Sequence, residues 1–586
     1  MTATRADAEF VHAMALNELK ETVCKTVTVN GHTVVLWYVG GEVFAVDNRC
    51  PHMGFPLDRG TVDDGILTCH WHHARFDLET GGTFDQFADD VRAFPVDVRD
   101  GEIWIDVARH GDPRRHQRER LRVGLERDIP LVLGKAVLVL LGDGGDPVEP
   151  FRMGLAFGTQ YRRNGWGQGL TMLTCFMNIL PHLEAEDQPR ALYHGLAAVA
   201  RDSFGEPPRF PIRPLPHSDE TDMLTLKRWL RQFVAVRDAE GAERCVVSAI
   251  RAGAGVRQMA DMLFTAVTDF RFVDIGHPAD FTNKAFEALA VAGWEYAEPV
   301  LTSLVSDYAS ASRMEEANAW RHPVDLIAIL EEAFATLPLA VEEGQHARAH
   351  NGRWNGRDEL LRILHDDKPQ DSVEAMLVAL QAGSPPAELA AIVSYAAAMR
   401  IARFHTSNEF PDWDTALHTF TFANAIEQGL RRAPSVELLR GVFDAAMRIY
   451  LDRFLNIPAA RIPQPNGKGG KPAALLLQLP SLLNRQQQVN QAGDAVAHYL
   501  YQGGSPEKLL AMIGKLLLRE DRDFHTIQAV EAALQQAGRW QGTEAGTNVL
   551  IAAARYLAAH APTVRAQGQT YDIARRLHRG ERLFEG

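Results

Sequence analysis

Cysteine is scarce in this chain, with five residues among 586, at positions 24, 50, 69, 175 and 245. So few thiols in so long a chain exclude a disulfide framework and point to a reduced, cytoplasmic setting. Long apolar runs are missing too. The longest, IPLVLGKAVLVLLG over 129–142, contains Lys135 and is too short to cross a bilayer. The opening MTATRADAEFVHAMALNELK has no basic start leading into an apolar core, so no secretory signal is expected. Positive charge is in deficit: a formal net charge of −14 argues against a nucleic-acid partner and against an anionic membrane surface. Phosphate-binding glycine patterns are absent as well. GWGQGL and GAGVRQM lack the third glycine and follow no strand, so no FAD or NAD domain is apparent. PNGKGGKPAALL (465–476) has no G-x4-G-K-[ST] order and reads as a mobile loop.

What is present begins with two of those few cysteines. The stretch CPHMGFPLDRGTVDDGILTCHWHHARFD (50–77) places Cys50 two residues before His52 and Cys69 three before His72. Zinc fingers keep their cysteines together and their histidines together. Mixed pairs suit instead a two-iron cluster in which one iron takes two thiolates and the other two imidazoles, each loop giving one ligand to each iron. Around them lie short β-rich runs, TVTVNGHTVVLWYVGGEVFAVDN before and DVRAFPVDVRDGEIWIDV after, with a hairpin expected at Asp100-Gly101.

With C-x-H, sixteen residues and C-x2-H, followed by HMGFPLDRG and HHARFD, residues 13–108 resemble Rieske [2Fe–2S] domains of the ferredoxin and ring-hydroxylating-oxygenase kind. The resemblance implies a small all-β domain with Cys50, His52, Cys69 and His72 as the cluster ligands. His70 and His73 stand beside them, and the spacing favours His72. Neither loop has the extra cysteine or the serine of respiratory Rieske proteins. Fewer hydrogen bonds to the cluster imply a low potential, near the bottom of the roughly −150 to +300 mV range. The resemblance stops near residue 108. The D-x2-H-x4-5-H iron motif of ring-hydroxylating oxygenases is not found, so none of that family's catalytic residues carries over. Electrons are expected from a separate reductase or ferredoxin reductase.

The fold class expected is multidomain α+β: a tail over 1–12, the Rieske domain over 13–108, a basic linker over 109–122, and a large all-α domain of helical repeats over 123–586. From residue 123 strand alternation gives way to apolar spacing of three and four, as in DLIAILEEAFATL. Three segments, 241–263, 371–393 and 492–514, share a helix, a break at Gly253, Gly383 or Gly504, and a new helix start. The GSP at the last two breaks supplies Ser as N-cap with Pro at the first helical position. A divergent first copy is expected from about 165. Spacing of this kind indicates an array made by duplication.

After each break comes a helix, an acidic loop, a histidine and a second helix. The candidates for a second metal site are therefore His194, His277, His405, His418 and His525, with carboxylates near each copy: Glu184, Glu186 and Asp187; Asp274 and Asp280; Glu409, Asp412 and Asp414; Asp521 and Asp523. A histidine at a helix start is disfavoured as a cation by the helix dipole, and neutral imidazole is the metal-binding form. Matching the second helices pairs His194, His418 and His525; matching on FHT pairs His405 with His525. The same loops would also serve if they only cap helices. Glu343, His346 and His350 share one helix face, which reads as solvated because Glu-x-x-His occurs only once.

Two functions are compatible with these residues. In one, the protein is a Rieske-dependent oxidoreductase, most simply a monooxygenase. Its cluster feeds a non-haem iron, or a haem, in the helical domain that oxidises a small organic substrate with dioxygen. In the other, the cluster senses redox state or oxygen and the array is a partner-binding scaffold. Histidines converging on one pocket distinguish the first from the second.

Overall fold

The computed structural model describes residues 10–108, 113–210, 212–351, 354–465, 471–581 and 583. The chain divides into two compact units: one runs to Pro150 and takes in the last residues from Gln567, the other is Phe151–Ala566.

The first unit begins with β1 (Phe10–Ala15), α1 (Leu16–Thr22), β2 (Cys24–Val29), β3 (His32–Val39) and β4 (Glu42–Asp47). It continues through β5 (Thr61–Asp63), β6 (Ile66–Thr68), β7 (Arg75–Asp77), β8 (Val96–Arg99) and β9 (Glu102–Asp106). These form three antiparallel sheets, ordered β1-β9-β8, β2-β3-β4 and β5-β6-β7. Asp100 and Gly101 join β8 to β9, both at positive φ, as a two-residue type I′ turn requires. β3 is buried on both faces: Val34 and Leu36 pack with Ile103 and Ile105, while Val35 and Trp37 pack in the core that holds Cys50 and Cys69.

The expected boundaries shift here. β1 starts at Phe10, where Val11 faces Ile105 across the ladder, so the tail ends earlier than position 12; residues 1–9 lie outside the described ones. Most of the expected linker is helical. Residues 109–112 lie outside the described set, and α2 (Pro113–Arg127) follows at once. The arginines that give this stretch its loop-like composition alternate with Leu121 and Leu125, both buried and one helical turn apart. Arg120 Nε meets Asp89 Oδ1 at 2.5 Å and its guanidinium donates to the carbonyls of Gln86 and Ala88. α3 (Pro130–Leu141) is the longest apolar run of the sequence and is buried in this unit. No described helix is long and apolar enough to cross a membrane. The helix Ala566–His578 closes the unit, and Arg49 Nη2 donates to the Glu581 carbonyl at 2.6 Å.

The second unit has only helices and 3-10 turns among its described residues. The helix breaks fall at the three expected places, with Gly253 and Gly383 at positive φ. At the third the left-handed residue is Gly503, not Gly504. Ser505 caps the following helix, accepting from Lys508 N at 3.2 Å. At the middle break the N-cap is Pro385 and not Ser384. A residue before proline is held out of the α region, so Pro385 stays extended and the helix starts at Pro386. Of the expected mobile loop, residues 466–470 lie outside the described set, and a helix begins at Pro472.

Four helices position the site: α4 (Gln168–Ile179), α5 (His277–Ala292), α6 (Phe410–Arg432) and α7 (Phe524–Arg539). Side-chain pairs between α5 and α7 keep an offset of 247 or 248 residues over two turns, and pairs between α6 and α7 recur at 107. A constant offset means these three helices run parallel and in step, so residues one turn apart on one meet residues one turn apart on the next.

Candidate metal centres

The first site is built on two copies of one turn. Cys50 N donates to Phe55 O and Gly54 N to Cys50 O; Cys69 N donates to Ala74 O and His73 N to Cys69 O. The fourth residue after each cysteine has positive φ, Gly54 in the first loop and His73 in the second. His73 therefore serves the turn and is exposed, and His70 bonds Thr61 Oγ1 at 3.1 Å. His52 and His72 instead lie with ring centroids 4.8 Å apart.

The two sulfurs are buried, 2% and 1% exposed by residue, and share a hydrogen bond. Backbone N–H groups of His52 and Met53 point at Cys50, and those of Trp71 and His72 at Cys69. Sharing one proton with Cys50 lowers the Cys69 thiol to about 6, while the same sharing and burial push Cys50 far up. Two adjacent thiolates require a cation between them. Burial, His72 and Lys135 lower His52 to about 4, so its ring is neutral, and its Nδ1 is buried without a hydrogen-bond partner. A paired thiolate donor, N–H groups aimed at it and an orphaned imidazole nitrogen fit a [2Fe–2S] cluster held by Cys50, Cys69, His52 and His72. Sequence reasoning missed Lys135. From α3 its Nζ donates to the carbonyls of Pro51 and His52, the latter at 3.1 Å, and lies 3.5 Å from Asp89 Oδ2. Its only sequence signal was one charge inside an apolar helix.

In the helical unit, His277, His418 and His525 come together, one ring nitrogen from each within 4.8 Å of the others. His418 Nε2 and His525 Nε2 are 3.1 Å apart. His277 opens α5 after a strained approach in which Phe272, Asp274 and Ile275 all have positive φ. Burial, then the neighbouring rings, lowers His418 to about 3; burial and His525 lower His277 to about 4. Both are neutral at ordinary pH. Asp414 lies 3.9 Å from His525 Nδ1 and 3.7 Å from His560 Nε2, and Tyr556 donates to it at 2.6 Å. His560 lines a cavity of about 540 Å³ with Phe410, Trp413, Asn408 and Asn490.

His194 and His405 are not part of the cluster. His194 is buried against Phe176, on a helix outside the parallel three. His405 sits in the loop before α6, its Nδ1 2.7 Å from Ser407 Oγ. His346 and His350 are exposed, and His350 Nδ1 bonds the His346 carbonyl one turn back at 2.8 Å. His560 was missed by sequence reasoning because nothing but an apolar LAAHAP context marks it.

Two thiols and two imidazoles on twin turns of a small β domain define a Rieske-type centre. Residues 9–95 match the Rieske [2Fe-2S] domain family, and through them the chain belongs to it. The match is 36% identical over 83 residues to the ferredoxin component of the p-cumate 2,3-dioxygenase system of Pseudomonas putida, covering 14% of this chain and 70% of that one. It is 29% identical over 101 residues to the ferredoxin component of the naphthalene 1,2-dioxygenase system of the same species, covering 17% and 97%. Among solved structures, the ferredoxin of carbazole 1,9a-dioxygenase from Nocardioides aromaticivorans IC177 is similar at 30% identity and a TM-score of 0.16, over 17% of this chain and 98% of that one. No family matches the helical domain.

Proposed function

We propose that the protein is a Rieske-dependent oxidoreductase whose N-terminal domain passes electrons to a non-haem iron held by His277, His418 and His525, for dioxygen-dependent oxidation of a small organic substrate. The observation that carries this reading is the convergence of three imidazoles from three parallel helices, two of them held neutral by burial. A scaffold has no need to gather and desolvate them, which favours this reading over a redox sensor with a partner-binding array. Three ring nitrogens within 4.8 Å leave no room for a porphyrin plane between them, which favours a single ion over haem.

The Rieske cluster, when bound, supplies one-electron transfer. Cys50 and Cys69 hold their sulfurs in the dry core, and the exposed His72 offers an edge to a donor or acceptor. The relatives named as ferredoxin components of dioxygenase systems support a separate reductase as the electron source. In the helical domain the weakly basic His277 and His418 stay unprotonated and ready to bind metal. Asp414 orients His525 on one side and His560 on the other, and the cavity bordered by His560 is the place for the substrate.

Metal and labile-sulfide analysis of the full chain tests this. Wild type is expected to carry two sulfides and more than two irons. Cys69→Ser should lose the sulfides and two irons while keeping the remainder, and His418→Ala should lose only the remainder. Wild type with equal iron and sulfide, unchanged by anaerobic ferrous loading, would overturn the reading.

A further inference from the structure

We propose that a buried polar file descending from the three-histidine cluster along α5 and α7 carries protons from water to that centre, with Asp280 as the residue that hands them over. The inference rests on the cluster being a redox metal site. An electron arriving at a buried centre adds charge that the surroundings solvate poorly, and a proton taken up with it restores neutrality.

The file starts one helical turn, about 4.5 Å of rise, below the histidines, because Asp280 follows His277 by three residues and Gln528 follows His525 by three. Both are buried, and the Gln528 amide nitrogen donates to Asp280 Oδ2. Its other end, Gln528 Oε1, is buried without a hydrogen-bond partner. A carboxylic acid could donate to that oxygen as readily as a carboxylate accepts from the nitrogen, so the pair serves both states of Asp280.

One turn further, Lys284 Nζ donates to Glu287 Oε2 at 2.9 Å and to Glu531. From α4, Asn178 donates to Glu287 at 2.7 Å and to Glu531 at 2.8 Å. Gln535 donates to both carboxylates, and Gln428 donates to it at 3.4 Å; these two amides are partly exposed and end the file at solvent. An ionic cluster this deep gives a helical core little stability that apolar packing would not match. Its course from one turn below the histidines to partly exposed amides gives it a use.

The titratable groups around Asp280 are Lys284 and Glu287 on its own helix, Glu531 on α7 and Cys175 on α4, with the three histidines above. Burial raises Asp280 to about 7, Lys284 opposes this, and Glu531 and Glu287 add to it, so both forms coexist near neutrality. For each electron delivered by the Rieske domain, one proton leaves Asp280 for the centre. One enters from water past Gln535 to replace it through Glu531 and Lys284, so one electron and one proton are gained together.

The test is the reduction potential of the helical-domain metal against pH in full-length protein, with metal content measured first. In wild type a tenfold rise in proton activity should raise the potential by the equivalent of a tenfold change in equilibrium constant, about 59 mV for one electron. Asp280→Asn, with metal content unchanged, should keep that slope but slow reduction of the centre about tenfold and abolish its solvent deuterium isotope effect, and Asp280→Glu should restore both. A wild-type potential that does not move with pH, or equal reduction rates in wild type and Asp280→Asn, overturns the proposal. If Asp280→Asn does not fold, Gln528→Leu is expected to slow reduction of the centre about tenfold and abolish its solvent deuterium isotope effect; an unchanged rate overturns the proposal. Wild type that binds no metal at the cluster sinks the metal reading instead. Infrared titration of the metal-free chain then decides on Asp280: a protonated-carboxyl band near neutral pH that is absent from Asp280→Asn, or that shifts in frequency in Gln528→Leu where only that variant folds, supports the hand-over role, and its absence from wild type overturns it.

Discussion

At position 73 a histidine stands where the companion loop has Gly54, both in the left-handed conformation. A side chain there pays about 1 kcal/mol relative to glycine. His73→Gly is therefore expected to stabilise the N-terminal unit by about 1 kcal/mol without changing iron or sulfide content, as read by thermal loss of the cluster absorbance. The two Cys-plus-His pairs proposed to hold the cluster were legible in the sequence because each pair is local and the spacing itself is chemical information. The second site was legible only in part. His277, His418 and His525 lie more than a hundred residues apart and were visible only as recurring letters beside recurring helices. The same reasoning could not reject His194, whose helix stands outside the parallel three, or His405, which precedes α6 in the same copy as His418. Position along a helix, not presence near its start, decides which ring reaches the centre.

At the scale of the element, identical text takes different structure. Ser505 caps its helix, whereas Ser384 is displaced from the cap by the second proline and its hydroxyl is buried without a partner. Ser505→Ala should lower the stability of the helical unit by about 1 kcal/mol, and Ser384→Ala should leave it unchanged or higher, compared by urea midpoints. The breaks were readable because glycine and proline act locally. The register between α5, α6 and α7 was not, since it is set by side chains that meet only after folding. The arginine-rich stretch misled for the opposite reason: composition suggested a linker, but the buried leucines one turn apart made it a helix.

For the molecule as a whole, acid is the informative perturbation. Burial, then Arg400, lowers His365 to about 4 although its ring nitrogens face the Leu361 and Ala396 carbonyls. The unfolded chain binds this proton near 6.5, so the stability that neutral His365 contributes is full above that pH and lost as pH falls toward about 4. His365→Gln should flatten the fall of stability by one proton between those values, measured by denaturant titration at several pH values. The passage from strands to helices was legible as a change from alternating to helical text, but the boundary between the units, at Pro150 after two helices, was not. That the first unit also takes in the chain's last residues was not, because nothing in a helix of ordinary composition names its partner. That return has a consequence for biosynthesis. A Cβ on Gly54 would lie 3.3 Å from Leu577, and Arg49, one residue before the first ligand, is bonded to the carbonyl of Glu581. The ribosome makes these covering residues more than five hundred positions after the loop they cover. While the intervening residues are made, the Cys50 loop therefore waits without its outer cover.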